Sequence, residues 1–260
     1  MGVSQNGAVL LALAVVVAVV VAVRSTWSPC GLSMLSSITP ISERAKGHRY
    51  GATCAWFVAG AVVGGLTLGG VMAVLASVMS GLGLSRELAL AVGALALLIA
   101  AESDAPRSFT LPFHRRQVNE DWLDQYRPWL YASGFGWQIG VGFATYITTA
   151  GLYALVVLAA LNASPGAALL LGLGFGLVRG FAVLLSRQVS TPSDLLQLHA
   201  RIDRASEPVR DAVVVVLYAA GWIAAIAMWP PIAVVLAATV VATRVRHRRR
   251  RPVAHAPALR

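Results

Sequence analysis

Apolar positions in this chain gather in long uninterrupted blocks instead of alternating with polar ones. A helix needs about 20 apolar residues to cross a bilayer, and several blocks reach that length. The first runs from Gly7 to Val23 and continues through Arg24-Ser25-Thr26-Trp27-Ser28-Pro29-Cys30-Gly31 to about Pro40. The second covers Gly51 to Val78, the third Leu88 to Ala101, and the fourth Trp129 to Leu161. A fifth spans Gly166 to Leu185 and a sixth Ala212 to Met228. Trp229-Pro230-Pro231 then predicts a tight turn before a seventh, Ile232 to Thr243. As one helix, residues 212–243 would be about 48 Å long, against a hydrocarbon core of about 30 Å. One long kinked helix there is the alternative. The pattern predicts an all-α integral membrane protein of about seven spans.

Blocks one to three and four to six resemble each other in layout. The first member of each is overlong and interrupted, by Ser28-Pro29-Cys30-Gly31 in one and by Gly136, Gly140, Gly142 and Thr145-Tyr146-Ile147-Thr148-Thr149 in the other. The second member of each is glycine-rich, with Gly60, Gly64, Gly65 and Gly69 in one and Gly172, Gly176 and Gly180 in the other. Four-residue spacing puts glycines on one helix face, where backbones can approach closely. Three spans per unit is an odd number, so the units would be inverted, and paired broken helices in inverted repeats mark a site near the midplane. Ordinary glycine-rich packing without a repeat would give a similar pattern. The organisation read here is a first unit 1–101, a cytoplasmic loop 102–128, a second unit 129–229, and an extra helix with a basic cytoplasmic tail, 230–260.

Composition agrees with this reading. Hydrophobic residues make up 57%, charged residues 12%, and mean hydropathy is +0.71. A soluble domain carries about a quarter charged residues, so a soluble enzyme is excluded. The net charge of +10 need not mean nucleic acid, and none is expected as a partner. With the N-terminus outside, the inner segments 41–50, 102–128, 186–211 and the tail hold 18 of the 21 lysines and arginines. That positive-inside bias predicts a cytoplasmic membrane protein with its C-terminus in the cytoplasm. The first block lacks the basic start and small-residue cleavage site of a signal peptide, and is expected to be retained.

A few residues could carry chemistry. Pro29 breaks the first block, and irregular backbone at membrane depth persists only inside protein or beside a water cavity. Cys30 follows it, either presented as a thiol at the break or packed as a small hydrophobe. Arg24, mid-block, either faces a cavity or a partner such as an anion or the thiol, or snorkels to an interface. Arg179, two turns from Arg187, is expected to snorkel. Trp122, Tyr126, Trp129 and Tyr131 read as an interfacial belt. Ser193 is expected to cap a short helix, Asp194–Arg204, whose face of Leu195, Leu198 and Ile202 would lie on the membrane. His114-Arg115-Arg116, near Asp121 and Asp124, lacks metal-ligand spacing. The tail Arg244–Arg251 reads as a topology anchor or a contact for anionic lipid. No metal or cofactor is expected.

Trp27-Ser28-Pro29-Cys30-Gly31-Leu32-Ser33-Met34-Leu35-Ser36 resembles the Ser-Pro-Cys segment in the first helix of the CcdA/DsbD family of transmembrane thiol–disulfide carriers. The two three-helix units, over roughly residues 7 to 229, fit the same resemblance. It implies transfer of reducing equivalents across the membrane through Cys30, with thioredoxin-like partners on either side, often for cytochrome c maturation. The family has a second Pro-Cys in its fourth helix after Gly-Trp. Here Gly136-Trp137 is kept, but no cysteine follows, and Thr145 or Thr148 occupies the matching region. Disulfide exchange needs a second sulfur, for which Cys54 is this chain's other candidate. A disulfide requires Cα atoms within about 7 Å, so pairing Cys30 with Cys54 would need the broken helix to close a depth difference of roughly 9 Å. The alternative function is a secondary transporter of a small solute, with Arg24 favouring an anion, bound between the broken helices by Arg24, Ser28, Ser33, Thr145, Thr148 and Thr149, the helices being opened at Pro29, Gly31, Gly140 and Gly142. A third reading is a non-catalytic membrane assembly partner.

Overall fold

The computed structural model describes residues 2–106 and 126–228. The expected turn at Pro230-Pro231, the seventh span, the tail Arg244–Arg251, and His114, Arg115, Arg116, Asp121, Trp122 and Asp124 lie outside the described residues. Among the described residues the protein is helical, without strands. The helices are α1 (Gly2–Arg24), α2 (Pro29–Ser37), α3 (Pro40–Ala45), α4 (Tyr50–Gly81), α5 (Arg86–Asp104), α6 (Pro128–Val141), α7 (Gly151–Leu161), α8 (Pro165–Phe181) and α9 (Pro192–Met228). Short 3-10 turns follow α1 at Ser25–Trp27 and α8 at Ala182–Ser186.

Four helical stretches are long and apolar enough to cross a membrane: Gly7–Trp27, Tyr50–Gly81, Pro165–Ser186 and Pro192–Met228. Large apolar side chains cover their outer faces; Val74, Leu170 and Val215 are each more than 60% exposed. Such a surface suits lipid and would be a liability in water.

The glycine faces set the packing. α4 is central, with α6 on one side and α8 on the other. A Cβ on Gly60 would lie 2.0 Å from the Ser133 carbonyl oxygen, and one on Gly136 2.1 Å from that of Phe57. Toward α8, a Cβ on Gly65 would come within 2.4 Å of the Gly172 oxygen, and one on Gly172 within 2.4 Å of Gly65 and Gly69 backbone. These helices therefore touch backbone to backbone, the contact that small residues permit. α5 lies against α9, and α1 packs on α7, α8 and α9. Leu10, Val17 and Val21 of α1 join Leu97, Leu155, Phe175 and Leu217 in the larger core cluster.

The amphipathic stretch 194–204 is not a separate surface helix. It is the first part of α9, which is continuous through Pro208 to Met228. Ile202 is buried and Leu198 packs on the core around α2. The Trp27 indole N–H donates to the Ile202 carbonyl (2.8 Å), and Ser36 Oγ lies 3.0 Å from His199 Nε2. The apolar face thus has a protein partner. The cap is Thr191, not Ser193: Thr191 Oγ1 accepts from the Asp194 amide (3.2 Å), and the Asp194 carboxylate accepts from the Thr191 amide (2.8 Å), a reciprocal capping arrangement.

Candidate functional site

Each expected break has a local cause. Pro29 has no amide to donate and pushes the preceding residue to extended backbone. Ser28 accordingly sits at φ −73°, ψ 153°. Its Oγ accepts from the Gly31 amide (3.0 Å) and restarts the helix as α2. Gly31 is pressed on the end of the 3-10 turn: a Cβ there would lie 2.2 Å from the Thr26 carbonyl oxygen. The second break follows α6 at Gly142, whose φ of +75° ends the helix. The backbone then runs unwound to Ala150. Gly140 is not part of that opening; it lies inside α6, against the Ala61 carbonyl of α4.

Arg179 of α8 joins the two breaks. It is 3% exposed. Its Nη1 donates to the Ile139 carbonyl in the last turn of α6 (2.7 Å), and its Nη2 to the Ser25 carbonyl after α1 (3.3 Å). Both carbonyls stand at helix ends, where each accepts only one backbone amide, Ser28 on Ser25 and Gly142 on Ile139 (3.2 Å each), and has a lone pair left for the guanidinium. The expectation that Arg179 snorkels is therefore wrong: the breaks hold it inside.

Cys30 lies at this junction, buried among Met34, Leu35, Phe57, Phe135 and Ile139. It is near enough to Arg179 for a negative sulfur to interact with the guanidinium. Cys54 belongs to the same buried cluster, and both residues are thiols. Cys54 lies close to the Tyr50 hydroxyl, which donates to the Val183 carbonyl (3.1 Å). Arg24 lines a different cavity.

That cavity, of about 150 Å³, is lined by Arg24, Ser103, Asp104, Thr148, Arg210 and Val213. Asp104 holds the restart of the second broken segment. Its carboxylate accepts from the Thr149 hydroxyl and from the Ala150 amide (2.8 Å), supplying an N-terminal cap to α7 from another helix. The hydroxyl residues expected to gather at one transport site are divided. Thr148 shares the cavity with Arg24, and Thr149 reaches it through Asp104. Ser28 caps α2, and Thr145 is buried with its Oγ1 3.4 Å from the Gly142 carbonyl. Ser33 lines a separate groove with Trp27, Ser36 and His199.

A second polar cluster was not visible in the sequence. Glu43 of α3 is fully buried. Its carboxylate accepts from Thr53 Oγ1 (2.5 Å) and Tyr131 Oη (2.7 Å), with His48 Nδ1 at 3.7 Å. Tyr131 is consequently a core residue and no part of an interfacial belt, whereas Tyr126 and Trp129 are exposed. In one dimension Glu43 looked like a loop carboxylate among basic residues. Asp104, Arg210 and Glu43 all flank apolar blocks, and the one available signal was the cap pattern Thr39-Pro40-Ile41-Ser42, which predicts an ordered turn there.

Fold and site together define a helical protein with membrane-crossing stretches, organised around two interrupted segments, a buried thiol and a charged cavity. Among known proteins, the chain is similar to methylamine utilization protein MauF. It is 29% identical to that of Methylorubrum extorquens over 174 residues, which is 66% of this chain and 61% of the relative. It is 29% identical to that of Paracoccus versutus over 173 residues, 62% of this chain and 60% of the relative. It is 30% identical to that of Methylobacillus flagellatus over 147 residues, 55% of this chain and 52% of the relative. The chain thus matches about three fifths or less of the length of these relatives. No family model and no solved structure matches it.

Proposed function

We propose that this chain is a multi-pass protein of the cytoplasmic membrane that serves methylamine utilization, as the name of its relatives suggests, by passing reducing equivalents through Cys30. The proposed scaffold is the CcdA/DsbD-like one, with seven spans, an inverted repeat of three helices, an outside N-terminus and a cytoplasmic C-terminus. The observation that carries the reading is Arg179, buried beside Cys30 and bonded to both breaks. The nucleophile in disulfide exchange is a thiolate, and the Arg179 guanidinium supplies a positive charge near the sulfur.

The proposed exchange needs one sulfur of this chain. The sulfur is buried in this structure, so the exchange requires the Pro29 break to open; the Cys30 thiolate then attacks a disulfide of an extracytoplasmic protein, an S–S bond forms, and the client's other sulfur leaves as a thiolate, which takes up a proton. A thiolate of a thioredoxin-like dithiol then attacks the Cys30 sulfur and releases the client as a dithiol. The donor's second thiolate closes its own disulfide and frees Cys30. Two electrons pass from donor to client. Cys54 is not required.

The test is Cys30→Ser in a methylamine-utilizing host that lacks the native protein. Methylamine-dependent growth should be lost, because a hydroxyl cannot form a mixed disulfide. The unsubstituted protein should yield a trappable mixed disulfide through Cys30. Normal growth of the Cys30→Ser strain would overturn the proposal. Retained growth with Cys30→Ser but loss with Thr148→Val would point to transport.

A further inference from the structure

The cavity beside Asp104 is not used by the thiol chemistry, and it has its own charge pattern. Arg24 comes from the end of α1, Arg210 from α9, Asp104 from the end of α5 and Thr148 from the unwound segment. The two guanidinium groups are close enough for each charge to act on the other. Asp104 is the single carboxylate of the lining, so the cavity keeps an excess positive charge. Arg210 Nε and Nη2 also bond Asp211 (3.1 Å), but Asp211 is 59% exposed, and such surface pairs bind weakly. Among the described residues, Arg24 Nη1 and Thr148 Oγ1 are buried without a hydrogen-bond partner. Buried polar atoms are nearly always satisfied, and a guanidinium at membrane depth usually faces a partner.

We infer that this cavity binds a singly protonated phosphate group, either inorganic phosphate or the monoester headgroup of phosphatidic acid. The donors converge from two helices and the unwound strand of chain. A tetrahedral anion can meet all of them, whereas a planar carboxylate offers only two oxygens. Guanidinium groups suit phosphate oxygens in charge and in donor geometry. Asp104 selects further. A carboxylate repels a bare anion, but a singly protonated phosphate group carries one P–OH that can donate to it. Sulfate at neutral pH has no such proton. The site therefore discriminates phosphate from sulfate, which have nearly the same size. This inference is independent of the role of Cys30.

The experiment uses the full chain, purified in detergent at pH 7, with binding followed by calorimetry and by the shift in unfolding temperature. Inorganic phosphate should bind, and sulfate at equal ionic strength should bind at least about tenfold more weakly, the loss expected for one hydrogen bond to a charged group. Arg24→Gln should weaken phosphate by about tenfold or more. Thr148→Val, which keeps the side-chain size, should weaken it several-fold and serves if Arg24→Gln does not fold. Asp104→Asn should bring sulfate up to the level of phosphate. A parallel arm compares the protein in nanodiscs of phosphatidylcholine with and without phosphatidic acid. Stabilisation by phosphatidic acid that Thr148→Val reduces, with no response to inorganic phosphate, identifies the lipid source. Equal binding of phosphate and sulfate by the unsubstituted protein, or no response to either inorganic phosphate or phosphatidic acid, overturns the inference.

Discussion

At the scale of single residues, two arginines inside apolar blocks do different work. Arg179 donates to two carbonyls at the helix breaks inside the bundle. Arg24 opens onto a cavity with an unpartnered nitrogen. Their substitutions should separate. Arg179→Leu removes two charge-assisted hydrogen bonds, to carbonyls of Ser25 and Ile139 that keep only the Ser28 and Gly142 amides, at about 1.5–3 kcal/mol for a hydrogen bond to a charged group. Thermal unfolding of the purified protein should show a loss of at least about 2 kcal/mol, with Arg179→Lys intermediate because a single ammonium keeps the charge but lacks the fork that spans both carbonyls. An unchanged unfolding temperature for Arg179→Leu would show that the two breaks do not depend on this residue. Sequence pattern found both arginines but not their partners. Nothing local distinguishes a charge that will meet a carbonyl 154 positions away from one that will snorkel.

At the scale of elements, the glycines on α4, α6 and α8 decide how close the helices come. The structure separates neighbouring glycines of the same helix by what lies over them. A Cβ on Gly172 would meet Gly65 and Gly69 backbone at 2.4 Å, while one on Gly174 would meet nothing within 4 Å. Gly172→Ala should therefore lower the yield of folded protein sharply, since the opposing backbone has no rotamer to move. Gly174→Ala should be neutral or slightly stabilising, by up to about 1 kcal/mol from helix propensity. Comparing the two by size-exclusion behaviour in detergent checks this, and equal behaviour would remove the glycine contact as the packing determinant. The glycine spacing was legible in sequence because a four-residue repeat maps onto one helix face. Which helix meets which was not, because α4 presents glycine to two neighbours and the pattern is silent on the partner. The stretch 194–204 was misjudged for the same reason. An amphipathic face looks alike whether it covers lipid or α2, and here Trp27 and Ser36 claim it.

At the scale of the whole molecule, the proposed orientation rests on charge. Eighteen of 21 basic residues fall in segments that the seven-span reading places inside. Cytoplasmic reporter fusions joined after His48 and after Arg251 should both be active in the cytoplasm, as a positive-inside distribution requires. A periplasmic signal at either junction rejects that arrangement. The same reading places the end of α5 and the Arg24 cavity toward the cytoplasmic half, so phosphate or lipid would reach it from that side.

The sequence by itself determined where helices form and where they stop. Apolar runs of membrane length have to satisfy their backbone internally, which leaves helices, and Pro29 and Gly142 interrupt them through the covalent limits of their own backbones. These are effects of near neighbours, so they survive in one dimension. Only the tertiary structure decided that Arg179 ties the breaks together beside Cys30, that Arg24 shares a cavity with Asp104, Thr148 and Arg210, and that Glu43 is buried under Tyr131 and Thr53. Each of these depends on a charged or polar group finding a partner on a distant segment. Burial sets the outcome, because an ionic group inside the bundle is stable only where such a partner is already in place.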